Sequence, residues 1–208
     1  MFIIVVLFLE AIIAFYGYLI GSIPTGYWLA KYFFNIDVTK NGSGNIGATN
    51  VARVLGSKKY FFLIFFLDFL KAFLCLYLFF VLFVGGKIEK EFLYYFQMYL
   101  IAFFLLFGNA YSIFLNLKGG KGVSTSLGIV AFFAPIQLFI FFIVCWSIFL
   151  FFIKCVGISS LLAIYLTTIY FYIFNYSNNP VLLYFLIFLC FWLTFSHRNN
   201  LKLLFNKN

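Results

Sequence analysis

Long apolar runs fill most of this chain and leave only short polar segments between them: Phe2 to Ala30, Tyr60 to Val84, Phe92 to Leu117, Val123 to Ile153, Val156 to Phe174 and Val181 to Phe195. About 20 apolar residues in helix cover the roughly 30 Å of hydrocarbon in a bilayer. Backbone groups in that medium must bond within their own segment, so each run is predicted as helix. Composition closes the alternative. Of 208 residues, 66% are hydrophobic and 9% charged, too few polar groups to wet the surface of a soluble fold. The net charge of +9 would suit nucleic acid on a soluble domain, but here the bases lie between apolar runs, so the expected partner is a lipid bilayer and not nucleic acid. Cys75, Cys145, Cys155 and Cys190 sit in or beside apolar stretches without a CxxC pair, and there is one histidine. Neither a disulfide framework, a metal site nor a cofactor is expected. Met1 to Ile20 lacks a basic leader, and we read it as an uncleaved first span.

The charges set the topology. Cytoplasmic loops collect Lys and Arg. Lys31, Lys40, Arg53, Lys58 and Lys59 stand against Asp37 alone, which puts residues 31–59 inside. Lys87 and Lys90 balance Glu89 and Glu91, which puts that connection outside. Lys118 and Lys121 return the chain to the inner face. The run from Val123 to Ile153 is long for one crossing and contains Pro135, where a helix must kink or turn. If Pro135 is an outer turn, Lys154 falls inside, the uncharged Asn175 to Pro180 connection outside, and the tail with Arg198, Lys202 and Lys207 inside. The first arm, Val123 to Ala134, would rise only about 18 Å as helix. The expected fold is an all-α polytopic membrane protein: a single domain over 1–208 with seven transmembrane helices, N-terminus out and C-terminus cytoplasmic.

Three polar segments then share the inner face, at about 31–59, 118–125 and 197–208. The first holds Asn41-Gly42-Ser43-Gly44-Asn45-Ile46-Gly47-Ala48-Thr49-Asn50, followed by Arg53. It reads either as a flexible loop with a basic anchor or as a nest of amide donors around an anion, with the next helix presenting its positive end and Arg53 a bidentate fork. The second, Lys118-Gly119-Gly120-Lys121-Gly122-Val123-Ser124-Thr125, is not a P-loop, because Gly122 stands where Ser or Thr must follow the lysine. Its glycines, Lys121 and the hydroxyls of Ser124 and Thr125 at a helix start still suit a phosphate, beside the plainer reading of a surface turn with a snorkelling lysine. The third is His197-Arg198-Asn199-Asn200, a membrane-boundary anchor unless the other loops converge on it. Within the spans, Asp68 and Lys71 stand at i, i+3 and are expected to pair. Glu10 is expected as a hydrated carboxylate near the outer interface. Gly17, Gly21, Pro24 and Gly26 are expected to thin and kink the first helix.

In this order and on this frame, the motifs resemble the bacterial membrane acyl-phosphate:glycerol-3-phosphate acyltransferase family, often called PlsY. The likeness covers nearly the whole chain: Gly21-Ser22-Ile23-Pro24, the Gly42 to Asn50 loop with Arg53, Leu67-Asp68 to Lys71, Ser112 through Phe114, Gly119 to Thr125, and His197-Arg198 with Asn200. The resemblance implies transfer of a fatty acyl group from acyl phosphate to the 1-hydroxyl of sn-glycerol 3-phosphate, giving lysophosphatidic acid and phosphate, the first step of phospholipid synthesis in the bacterial cytoplasmic (inner) membrane. It implies the acyl-phosphate-producing enzyme as a further partner.

The implied site has Lys121, His197 and Asn200 as catalytic residues. Ser43, Gly44, Asn45, Thr49, Asn50, Arg53, Gly119, Gly120, Gly122, Ser124, Thr125 and Arg198 bind the substrates. Acyl phosphate is a mixed anhydride and already activated, so the site must position two anions and stabilise a developing oxyanion. The alcohol proton goes either to His197 or to the departing phosphate; with the donor pre-activated, we favour the phosphate and give His197 a positioning role. Three departures stand out: Asn109 where the family usually has His, a tail ending Asn206-Lys207-Asn208 in place of Gly and Glu, and Ser124 in place of the common Ala. A phosphate or organic-anion transporter is the alternative from another class. The absence of an internal repeat and the gathering of polar loops on one face argue against it.

Overall fold

The computed structural model describes residues 2–84, 91–174, 179–198 and 201. Residues 85–90 and 175–178, Asn199, Asn200 and the basic tail beyond Leu201 lie outside the described residues. Everything regular among the described residues is helical, and the chain divides into two compact units, Met1–Phe132 and Phe133–Asn208.

In the first unit, α1 (Phe2–Ser22) stops short of Pro24 and α2 (Thr25–Phe34) restarts just after it. Proline has no N–H to donate and disfavours helix at the residue before it, so the carbonyls at the end of α1 lose their partners. Lys71 supplies one: its Nζ donates to the carbonyls of Gly21 (3.2 Å) and Ile23 (2.9 Å). Next come α3 (Ala48–Val54), α4 (Lys59–Phe79) prolonged by a π-helical turn at Phe80–Val84, and α5 (Glu91–Ala110), then a 3-10 turn at Ile113–Leu115 and α6 (Val123–Phe133).

Helices α1 and α5 form the tightest seam of this unit. In lipid no hydrophobic effect draws helices together, so close backbone approach and interhelical hydrogen bonds must do it. A methyl group on Gly21 would land on the Leu105 carbonyl, and one on Gly108 on the Tyr18 carbonyl. Tyr18 Oη donates to the Tyr111 carbonyl (2.9 Å), and Ser112 Oγ to the Ser22 carbonyl (2.6 Å). Glu10 differs from expectation: it is half-buried, and its Oε1 accepts from Gln97 Nε2 on α5 (2.8 Å), which ties the carboxylate into the seam. Helix α6 meets α4 through Gly128, whose missing side chain admits the Phe69 carbonyl.

In the second unit, Pro135 opens α7 (Ile136–Ile153) from an extended conformation, so the run expected to kink is broken into two helices. A left-handed Lys154 (φ 55°) ends α7, and α8 (Val156–Ile173) follows. Trp146 Nε1 donates to Ser160 Oγ across α7 and α8 (3.0 Å). Helix α9 (Pro180–Ser196) begins with proline in its first turn and with Asn179 Oδ1 accepting from the Leu182 amide (3.0 Å).

Among the described residues, five helical stretches are long and apolar enough to cross a membrane by length and composition: Ile3–Phe34, Lys59–Val84, Leu93–Leu115, Ile136–Ile153 and Val156–Ile173. Helices α6, with 11 residues, and α9, with 17, are apolar but shorter. Large apolar side chains such as Phe8, Phe151 and Tyr172 point outward, as a lipid solvent permits.

Candidate active site

The first polar segment is an ordered loop built around Asn50. This side chain is buried, and its Nδ2 donates to the carbonyls of Asn45 (2.8 Å), Asn41 (3.1 Å) and Val38 (3.2 Å). Its Oδ1 accepts from the Ser43 amide (2.8 Å). The loop closes that tightly because Gly42 (φ 62°) and Gly44 (φ 70°) take left-handed conformations that cost other residues energy. Asn45 Oδ1 accepts from the Gly47 amide (2.8 Å). At the loop entrance, Asp37 Oδ1 accepts from Thr39 Oγ1 (2.6 Å) and from the Thr39 amide (3.0 Å). The Thr39 hydroxyl above all, with its amide and the neighbouring lysines, holds the Asp37 carboxyl below its ordinary range against an opposing desolvation.

Underneath, Ala30, Val38, Ile46, Ala48, Val51 and Ile64 form a buried apolar cluster. Ser43, Gly44, Thr49 and Arg53 remain exposed above it. Helix α3 is only seven residues long, so its dipole adds less to an anion site than the sequence suggests. The charge comes from Arg53.

The second segment is fixed to the first. Leu115, in the 3-10 turn, packs against the same apolar cluster, and the rings of Trp28 and Phe114 lie 5.5 Å apart. Asn116 (φ 52°) and Leu117 (φ 60°) are both left-handed, and the Leu117 amide donates to the Ser112 carbonyl (2.9 Å). The glycines that follow serve packing. The Gly120 amide donates to the Asn109 carbonyl (2.8 Å), and a side chain on Gly119 would strike the carbonyls of Asn109 and Ala110. Gly120 therefore does not offer its N–H to an anion as expected.

Beyond them, Lys121 is half-buried, and Gly122 (φ 83°) is buried and accepts from the Ser126 amide (2.7 Å). Ser124, Thr125 and Ser126 open α6 as buried residues, and Thr125 Oγ1 and Ser126 Oγ have no hydrogen-bond partner among the described residues. A buried hydroxyl left unpaired costs about 1 to 3 kcal/mol. Two side by side mark a place where the chain alone does not satisfy its polar groups.

In the second unit, His197 ends α9. It is 3% exposed, and its Nδ1 lies 2.9 Å from the Leu193 carbonyl. A carbonyl only accepts, so Nδ1 carries a proton and donates it to Leu193. Arg198 is exposed and folds back on its own helix. Its Nη1 donates to the Phe195 carbonyl (2.9 Å), and the guanidinium lies 4.2 Å from the Phe195 ring centre, the geometry of an interfacial anchor. Asn200 falls outside the described residues.

A third polar cluster was only half visible in the sequence. Asp68 and Lys71 pair on α4 as expected (2.8 Å), but four distant groups complete them. Thr25 Oγ1 donates to Asp68 Oδ1 (2.7 Å); Lys71 Nζ donates to Asn109 Oδ1 (3.2 Å) as well as to the two carbonyls that end α1. The i, i+3 spacing was the only signal. Nothing local marks Thr25 or Asn109 as partners.

Fold and site define a multi-pass integral membrane protein that mounts an exposed arginine loop and a lysine hairpin on one apolar cluster. The sequence profile of the family described as glycerol-3-phosphate acyltransferase matches residues 11–207, and the chain belongs to that family, the PlsY acyltransferases. It is 36% identical over 199 residues to the glycerol-3-phosphate acyltransferase of Bacillus subtilis (strain 168), covering 96% of this chain and 95% of the relative. It is 37% identical over 179 residues to that of Helicobacter acinonychis (strain Sheeba), covering 83% and 76%. Its fold is similar to the crystal structure of PlsY (YgiH), an integral membrane glycerol 3-phosphate acyltransferase, in the glycerol 3-phosphate form. The TM-score is 0.79 at 31% identity, over 94% of this chain and 92% of that one. The lysophosphatidic acid form gives 0.73 at 32% identity, over 94% and 91%. The family resemblance of the motifs is borne out: this is a membrane acyltransferase of phospholipid biosynthesis acting on glycerol 3-phosphate.

Proposed function

We propose that the enzyme takes its acyl group from acyl phosphate and releases lysophosphatidic acid and inorganic phosphate. One observation carries this reading: Val51 and Val54, on either side of Arg53, share one apolar cluster with Leu115, and the chain from Leu115 runs through Lys121 into the buried, unpartnered hydroxyls of Thr125 and Ser126. Two phosphorylated reactants want two sets of cations and donors close together. The likeness to a PlsY solved in a lysophosphatidic acid form supports the product.

Glycerol 3-phosphate is assigned to Ser43, Arg53, Lys121, His197 and Asn200, and the acyl phosphate to the loop near Asn45 and Thr49 and to the Gly119 to Thr125 segment. Gly44, Gly120 and Gly122 shape the backbone, Asn50 holds the loop, and Arg198 anchors the end of α9. The 1-hydroxyl oxygen attacks the acyl carbon, the acyl carbon–oxygen bond to phosphate breaks, and the proton leaves with the departing phosphate. His197, held through Nδ1 against the Leu193 carbonyl, is given the role of positioning the attacking hydroxyl. The cations screen the repulsion of two anions and stabilise the oxyanion.

We further propose that both units belong to a single integral-membrane domain over 1–208 with seven crossings, α6 and α9 among them. The N-terminus lies outside, and the segments near 31–59, 118–125 and 197–208 face the cytoplasm at the inner membrane of a bacterium. The Pro135 break and the charge bias of the loops support this count. The enzyme that makes acyl phosphate would deliver its product to that face.

Purified protein in detergent, given acyl phosphate and labelled glycerol 3-phosphate, is expected to form lysophosphatidic acid and phosphate. Activity with acyl-CoA and none with acyl phosphate would overturn the donor assignment.

A further inference from the structure

We propose that Lys71 and Asn109 are positioning residues that set the Gly119–Gly122 hairpin, and Lys121 with it, on the end of α5. The proposal rests on Lys121 binding the phosphate of glycerol 3-phosphate, as assigned above. Lys71 lies at the meeting point of four segments. Its side chain is 9% exposed, and its ammonium touches four oxygens: Asp68 Oδ1 (2.8 Å), the Ile23 carbonyl (2.9 Å), the Gly21 carbonyl (3.2 Å) and Asn109 Oδ1 (3.2 Å). An ammonium donates and never accepts, so the amide of Asn109 must turn its oxygen toward Lys71 and its nitrogen away. That nitrogen is the atom a side chain on Gly120 would meet first, at 3.1 Å. The main chain of the same residue takes the Gly120 N–H at 2.8 Å. Asn109 thus faces the buried cation with its side-chain oxygen and the hairpin with its nitrogen and carbonyl.

The charge explains why this joint is stiff. A buried ammonium is costly unless it is fully paired, so Lys71 holds its acceptors firmly. Three of them fix it to α4 and to the end of α1, and Asp68 is itself held by Thr25 at the start of α2. The fourth, Asn109, passes that fixed position to the hairpin. A fixed hairpin places Lys121 before substrate arrives, which is where orientation lowers a barrier or strengthens binding.

The test compares Asn109→Leu, Asn109→Ser and Asn109→Asp in purified full-length protein, with Lys121→Ala as reference and melting temperature as the check on folding. Leucine has the bulk but no oxygen, serine is too short to reach Lys71, and aspartate keeps the oxygen. The leucine and serine variants each take one acceptor from Lys71, the first with the volume kept and the second with it reduced.

We expect the leucine and serine variants to raise the KM for glycerol 3-phosphate by about tenfold to a hundredfold with kcat within about threefold. The aspartate variant is expected to return KM to within about threefold of the parent. Parental KM in the serine variant, or a loss confined to kcat, overturns the proposal while Lys121→Ala stays inactive. If Lys121→Ala itself keeps parental kinetics, the site assignment falls instead. Should the leucine variant fail to fold, the serine variant decides.

Discussion

Replacing Asn50 by alanine removes the hub of the first loop and leaves the side chains of Ser43, Asn45, Thr49 and Arg53 in place. Four contacts go: the Ser43 amide onto Oδ1 (2.8 Å), and Nδ2 onto the carbonyls of Asn45 (2.8 Å), Asn41 (3.1 Å) and Val38 (3.2 Å). Nδ2 has two hydrogens for three carbonyls, so the loss is about three full hydrogen bonds, or about 3 kcal/mol at roughly 1 kcal/mol each. Water repairs part of it, because Asn41 and Ser43 are exposed. About 2 to 3 kcal/mol of loop ordering is then lost. The spans pack through other contacts and should keep their melting temperature, so the loss appears in kcat/KM as a drop of about 30- to 150-fold. Asn50→Asp should fall further, since it turns a carboxylate toward three carbonyl oxygens. Initial rates over a glycerol 3-phosphate titration, with helix content followed on heating, measure both. An Asn50→Ala enzyme within about twofold of the parent in kcat/KM would refute the hub and leave the loop's order to its glycines.

Lys121→Ala or Arg53→Ala should each lower kcat/KM by about 2 to 4 kcal/mol of transition-state stabilisation, read by the same product assay. Gly21→Ala should lower the melting temperature clearly more than Gly56→Ala: the first pushes a methyl into the Leu105 carbonyl, whereas Gly56 (φ 69°) has nothing within 4 Å and bears only backbone strain. Thr39→Val should raise the Asp37 carboxyl toward its ordinary range, since the Thr39 hydroxyl is the main cause of its lowering. A lowered carboxyl stabilises the fold above its ordinary range and loses that contribution as pH falls through the lowered value; the variant should lose it at higher pH, which a carboxyl NMR titration reads. Cysteine in place of Asn178 should react with an impermeant reagent from outside, and a reporter fused at Asn208 should be active only in the cytoplasm.

Much of the fold was legible because lipid is a simple solvent. Apolar length and the placement of lysines needed no knowledge of tertiary partners, and Pro24 and Pro135 broke helices where their missing N–H required it. What the sequence hid was set by packing. Glu10 looked like a hydrated carboxylate because Gln97, its partner, lies 87 positions away. The glycines of the second segment were read as letting a phosphate come close to the backbone. Gly119 is a glycine because α5 leaves no room for a side chain, and that is a fact about the carbonyls of Asn109 and Ala110.

The polar residues in the described part of the first unit therefore separate by a physical criterion that composition cannot supply. Asn50, Lys71, Asp68 and Asn109 have their donors and acceptors taken up by the chain itself; they build the frame. Thr125 and Ser126 bury hydroxyls that the chain does not satisfy, and the exposed Arg53 carries a charge that no ion pair among the described residues meets. Unsatisfied groups are kept at a cost of about 1 to 3 kcal/mol each only where something else compensates them. The sequence motifs mix both kinds of residue in one string, so Asn50 and Arg53, three positions apart, look alike as candidates. Only the hydrogen-bond inventory separates them: Asn50 holds the loop, and Arg53 is left exposed.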